Sequence, residues 1–205
     1  MKLFLSSSKV GKELERLPLY VKNMRAVLIP NAIDYLQDSK LYQEKIEWNI
    51  EQLKSFGFDV SLLDLKNYFG EKDELEHALK NVGLIWVRGG NTFVLREAMF
   101  RSGFDQVVHH LENDVVYGGY SAGSCVASPT LKGLELVDSI TEKPYGTSNT
   151  IWDGLHLVPY TVIPHYRSDH KESAAVDSIV EYYTEHNLPY KTLSDGEVIL
   201  TEVKR

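Results

Sequence analysis

The sequence predicts an α/β fold in which a mostly parallel sheet is covered by helices on both faces. Three observations predict it. Short apolar runs bounded by polar residues or proline alternate with longer amphipathic stretches, as in strands joined by crossover helices. No internal repeat, low-complexity tract or linker-like stretch interrupts that alternation, so the 205 residues read as a single domain over 1–205. The residues best suited to chemistry fall at the carboxyl ends of predicted strands, where open α/β sheets carry their sites.

In chain order, residues 2–7 and 25–30 (RAVLIP) read as buried strands. Residues 34–56 read as a helix, with Tyr42, Ile46, Ile50 and Leu53 spaced three and four apart and Gly57 closing it. A third strand is expected over 58–65, a short helix over 72–81 and a fourth strand over 83–88. Helices are expected over 92–101 and 104–113, then a fifth strand over 115–120. Residues 128–153 look irregular, with a short strand candidate at 134–137. Residues 160–164 read as a strand ending at His165, and 168–186 as a helix. The segment 191–203 reads as a hairpin or two short strands around Asp195-Gly196.

Bulk properties exclude several classes. The hydrophobic content of 43% supports an ordinary core. With a formal net charge of −7 and no clustered run of Lys and Arg, nucleic acid is not an expected partner. No apolar run approaches the ~18 residues that span a bilayer, so no membrane partner is expected. The first residues, MKLFLSSSKVGKELE, lack the apolar region and cleavage site of a signal peptide. One cysteine, Cys125, rules out an internal disulfide in this sequence. The expectation is a cytoplasmic protein of unspecified oligomeric state.

The segment Gly119-Tyr120-Ser121-Ala122-Gly123 follows an apolar strand and has the G-x-S-x-G form of a nucleophile elbow. Small flanking residues permit a sharp strand-to-helix turn that lifts the serine hydroxyl from the sheet and aims the Ala122 N–H at a developing oxyanion. A glycine-rich turn with a serine cap would have the same five residues, so the motif needs partners. A serine requires an adjacent base. Among seven histidines, His165 is distinguished by ending an apolar strand (TVIPH). His77, His109, His110 and His186 fall among polar neighbours on predicted helices, His156 has no sign of function, and His170 is a surface or pocket-rim residue. His165, His170 and Asp169 match no common metal-ligand spacing, so neither metal nor other cofactor is expected. Two carboxylates could orient the imidazole: Asp138, between serine and histidine in the chain, and Asp195, in a turn after a predicted strand. Gly89-Gly90 after the fourth strand could supply a second oxyanion donor. Cys125 lies too far along the helix after Ser121 to compete as nucleophile.

These segments resemble the peptidase E (aspartyl dipeptidase) family of serine peptidases, related to cyanophycinase. The likeness rests on Val87-Arg88-Gly89-Gly90-Asn91-Thr92-Phe93, Gly119-Tyr120-Ser121-Ala122-Gly123, Ile163-Pro164-His165-Tyr166 and Leu193-Ser194-Asp195-Gly196, in the family's order. It implies a three-layer α/β/α fold like that of class I glutamine amidotransferases, and a cytoplasmic enzyme that needs no metal. It implies Ser121 as nucleophile, His165 as base, the amides of Gly90 and Ala122 as oxyanion hole, and Asp195 as third triad member where the family carries glutamate. Asp138 is the alternative. Two departures stand out. The arginine that holds a substrate aspartate in the family would fall near Ala174, where there is none; Arg167 and Lys171 are offset. Arg88 replaces a glycine of the family's glycine triplet. The expected activity is cleavage of short peptides without strict aspartyl specificity. Hydrolysis of another amide or ester, as in cyanophycinase, and a non-catalytic binding relative are the alternatives.

Overall fold

The structure is a computed structural model that describes residues 1–9, 11–112, 114–146 and 149–203. Its strands are β1 (Lys2–Ser6), β2 (Arg25–Ile29), β3 (Asp59–Leu62), β4 (Leu84–Val87), β5 (Val116–Tyr120), β6 (Thr161–Ile163), β7 (Tyr190–Thr192) and β8 (Val198–Glu202). The helices are α1 (Ser39–Ser55), α2 (Lys72–Ala78), α3 (Thr92–Ser102), α4 (Phe104–Val107), α5 (Ala122–Cys125) and α6 (Ser173–Glu185).

Six strands form one sheet in the order β3-β2-β4-β5-β1-β8. The first five pair in parallel, and β8 closes the edge antiparallel to β1. Strands β1, β2, β4 and β5 are almost wholly buried because both faces are covered. Leu3, Leu5, Val27, Ile29, Ile85 and Tyr117 enter the core on one face. Phe4, Leu28, Trp86, Val116 and Tyr120 enter the core beneath α1 on the other. The alternation along each strand follows from side chains pointing to opposite faces in turn. The architecture is the three-layer α/β/α arrangement. Among the described residues, no helix is long and apolar enough to cross a membrane.

Several boundaries depart from the sequence pattern. The helix expected from residue 34 begins at Ser39, where the Asp38 carboxylate accepts from the N–H groups of Lys40 and Leu41. Asp34 is held outside it by Asn31 and Tyr42. Gly57 does end the helix, with φ +93° and its N–H on the Lys54 carbonyl at 2.8 Å. The strand candidate at 134–137 is a 3-10 turn, Leu134–Leu136. The helix expected from 168 starts at Ser173, and that expected over 104–113 stops at Val107 before a 3-10 turn; Asn113 lies outside the described residues. Asp195 is not the tip of a hairpin. Its two flanking strands join different sheets, β7 pairing parallel with β6 and β8 pairing with β1.

Candidate active site

Ser121 sits between β5 and α5 with φ 51° and ψ −119°, a strained conformation for a residue with a side chain. Its neighbours show what holds it there. A Cβ on Gly119 would lie 2.5 Å from the Gly123 carbonyl oxygen, and one on Gly123 would lie 2.2 Å from the Val87 carbonyl oxygen of β4. The two glycines of the motif are therefore required by backbone contact. The Ser121 N–H donates toward the carbonyls of Ser6 and Ser7, at 3.2 and 3.1 Å. The Ser124 hydroxyl lies 2.8 Å from the carbonyls of both Ser6 and Gly119. The elbow is thus pinned to the end of β1.

The end of β4 approaches from the other side. A Cβ on Gly89 would lie 2.9 Å from Ser121 Cβ, and one on Gly90 would lie 2.3 Å from the Ala32 carbonyl oxygen. The next residue, Asn91, caps α3 by accepting from Phe93 and Val94 N–H. Among the described residues neither the Gly90 nor the Ala122 N–H has a hydrogen-bond partner. Gly90 lines the same cavity as Ser121, and Ala122 follows Ser121 directly in the chain.

His165 follows β6, with φ 62°, and is only 4% exposed. Because β6 and β7 run parallel with Ile163 opposite Thr192, the chain leaves both strands at the same end. That register brings His165 and Asp195 together: Nδ1 lies 2.7 Å from Oδ1. A carboxylate at that distance holds the proton on Nδ1 and leaves the Nε2 lone pair for another group. Asp195 is fixed in turn by the Ser168 hydroxyl, which accepts its N–H at 2.8 Å. The Ser7 hydroxyl lies 2.8 Å from the same Oδ1 and accepts the His165 N–H at 2.8 Å.

Ser121, His165, Asp195, Asp138 and Gly90 all line one cavity of about 360 Å³. Asp138 plays a different part from Asp195. It accepts from the Thr92 N–H at 2.9 Å, at the start of α3, and burial raises its carboxyl to about 6. Among the described residues Asp138 makes no hydrogen bond to His165, and the Ser121 hydroxyl makes none either. Hydrogen bonds between catalytic groups are commonly long in the absence of substrate. Cys125 is fully enclosed, and burial pushes its thiol far above the usual range, which makes it a poor nucleophile.

His170 stacks on His165 with ring centroids 3.8 Å apart and planes 8° apart. Donor atoms of His165, His170 and Glu172 lie within 4.8 Å of one another; Asp169 is not of this group. An ion lies close to the plane of each imidazole that binds it, so two parallel stacked rings cannot share one unless a ring turns. The donor set fits a metal poorly as it stands. His77, His109, His110, His156 and His186 are exposed.

Comparison with known proteins settles the kinship. The model of peptidase family S51 matches residues 4–204. The chain belongs to peptidase family S51. As an S51 member it is a serine-type hydrolase. It is 28% identical over 181 residues to an uncharacterized peptidase of Pasteurella multocida, covering 88% of this chain and 82% of that one. It is 28% identical over 182 residues to a probable alpha-aspartyl dipeptidase of Drosophila melanogaster, covering 85% and 68%. A crystal structure of a Listeria monocytogenes EGD-e protein provisionally named peptidase E superposes with a TM-score of 0.70 at 26% identity, covering 99% of this chain and 98% of that one.

Within this S51 chain, sequence reasoning missed Ser7. The rule that singled out Ser121 and Gly89 applies equally to β1, whose end is Ser6-Ser7-Ser8. Arg167 lies against the Tyr166 ring, 4.9 Å from its centroid. Lys171 lines the cavity.

Proposed function

We propose that this S51 peptidase hydrolyses short peptides through Ser121, His165 and Asp195. The observation that carries the proposal is the 2.7 Å contact between His165 Nδ1 and Asp195 Oδ1 at the cavity that holds Ser121. With Nδ1 engaged, His165 Nε2 accepts the Ser121 proton as the hydroxyl oxygen attacks the peptide carbonyl. The N–H groups of Gly90 and Ala122 receive the oxyanion. The C–N bond then breaks, His165 returns the proton to the departing amine, and water hydrolyses the acyl-enzyme with the same histidine as base. Short substrates suit the small cavity and the dipeptidase named among the relatives. A cytoplasmic location belongs to the same proposal and rests on the single cysteine and its deep burial.

Hydrolysis of a panel of unprotected dipeptides and tripeptides, followed as amine release, tests the proposal. Cleavage confined to the shortest peptides, lowered at least ~10³-fold in Ser121→Ala, is expected. Turnover that survives Ser121→Ala would overturn it.

A further inference from the structure

The cavity that holds Ser121 is also lined by Lys9, Lys45 and Arg88. Among the described residues none of the three makes an ion pair. Arg88 is 5% exposed, yet no carboxylate among the described residues pairs with it. Its Nε donates to Asn49 Oδ1 at 3.0 Å, and that oxygen also accepts from the Tyr120 hydroxyl at 3.1 Å. These contacts set the plane of the guanidinium, while its Nη1 is buried and, among the described residues, has no hydrogen-bond partner. Lys9 is placed with its ammonium 4.2 Å from the Trp48 ring centroid. Burial and the charges of Lys45 and Arg88 lower the Lys9 pKa below its usual value, so the three cations act on one another.

The acids of the same cavity are occupied elsewhere. Asp195 faces His165 and Ser7, Asp138 accepts from Thr92, and Glu172 lies near His170 and Lys171. A buried arginine with an orphan donor beside two lysines is costly in an empty site and favourable once an anion arrives. The overall charge of −7 makes this local excess of cations the more specific. Arg88 is also two residues before Gly90. Its Cα is therefore at most about 8 Å from that of the proposed oxyanion donor.

We infer that Arg88, with Lys9 and Lys45, forms an anion subsite that receives a carboxylate of the peptide substrate. The inference rests on the proposed function of the Ser121 cavity. It assigns substrate selection to the end of β4 and to α1, in place of an arginine near Ala174. The planar guanidinium suits a two-point contact with a carboxylate, and the ammonium groups add charge without such directionality. The carboxylate could belong to an acidic side chain or to the chain terminus.

Calorimetric binding to the Ser121→Ala protein separates these sources and does not depend on turnover. The probes are Asp-Leu, Asn-Leu and Asp-Leu amide. Asp-Leu is expected to bind at least ~10-fold more tightly than one of the two neutral analogues, and the analogue that loses affinity identifies the carboxylate. Adding Arg88→Met should reduce that ratio to about twofold or less. Lys9→Met and Lys45→Met, at more exposed positions, should each reduce it ~3-fold and test the subsite if Arg88→Met fails to fold. Equal binding of all three peptides, or a ratio unchanged in all of the cation variants, overturns the subsite. Failure of the Ser121 proposal shows separately, as turnover that persists in Ser121→Ala.

Discussion

Ser7 Oγ lies 2.8 Å from Asp195 Oδ1, the same carboxylate oxygen that meets His165 Nδ1 at 2.7 Å. The end of the first strand thereby holds a group carried on the last loop of the fold. The same hydroxyl accepts the His165 N–H, so one small side chain orients both partners of the contact. Its carbonyl accepts from Ser121 N–H as well. In the proposed mechanism Ser7 positions Asp195 and His165 and takes no part in the proton transfers.

Ser7→Ala leaves the His165 N–H without a partner and frees one side of Asp195. Loss of a buried hydrogen bond costs about 1–3 kcal/mol. We expect kcat to fall ~10- to 100-fold with little change in KM, as befits a lost orientation. Melting temperature and kinetics measured together check this. A lower Tm with unchanged kcat would mean that Ser7 serves stability alone.

Asp195→Asn and Asp138→Asn separate the two carboxylates. The first should lower kcat by about 10²–10⁴ because the wrong imidazole tautomer becomes favoured. The second should cost less than about tenfold, since asparagine retains an acceptor for the Thr92 N–H. Turnover of one dipeptide by both variants decides; the reverse order would assign the third position to Asp138.

Asp138 also makes stability depend on pH. Its folded carboxyl is raised to about 6, whereas an unfolded aspartate titrates near ~3.9. Between those values the folded protein binds more protons, so stability falls as pH rises through the window. The loss amounts to about 2–3 kcal/mol and is complete above pH ~7. Asp138→Asn cannot ionise there. Its Tm should gain on the wild type as pH goes from 4 to 7.5, and a constant difference across that range would contradict this account.

Gly123→Ala would place a methyl 2.2 Å from the Val87 carbonyl oxygen. Backbone at both sides leaves no cheap relief, so we expect a loss of about 3 kcal/mol or more. Urea unfolding measures it. A change below ~1 kcal/mol would mean that β4 and the elbow are not packed as described.

Much of this arrangement was legible in the sequence because local patterns encode it. The apolar runs marked the strands, and Gly119, Gly123 and Ser121 announced the elbow by composition. Which of Asp138 and Asp195 meets His165 was not legible. That contact depends on the β6-β7 register, a non-local pairing that leaves no mark on residue spacing. Of the two readings of 191–203, the structure has the two short strands and not the hairpin; the sequence could not decide between them for the same reason, since β8 finds its partner in β1. The early start of α1 failed locally: Asp34 takes hydrogen bonds from Asn31, Tyr42 and Tyr145, which hold it away from the helix. The cations at Lys9 and Lys45 gave no signal, because they reach the cavity from two separate segments.

The most direct test of the central claim is labelling with a fluorophosphonate probe, with the modified residue located by peptide mass spectrometry. The account predicts a single adduct on Ser121, absent in Ser121→Ala and slowed ~10²-fold or more in His165→Ala. An adduct on another residue, or equal labelling of Ser121→Ala, would contradict it.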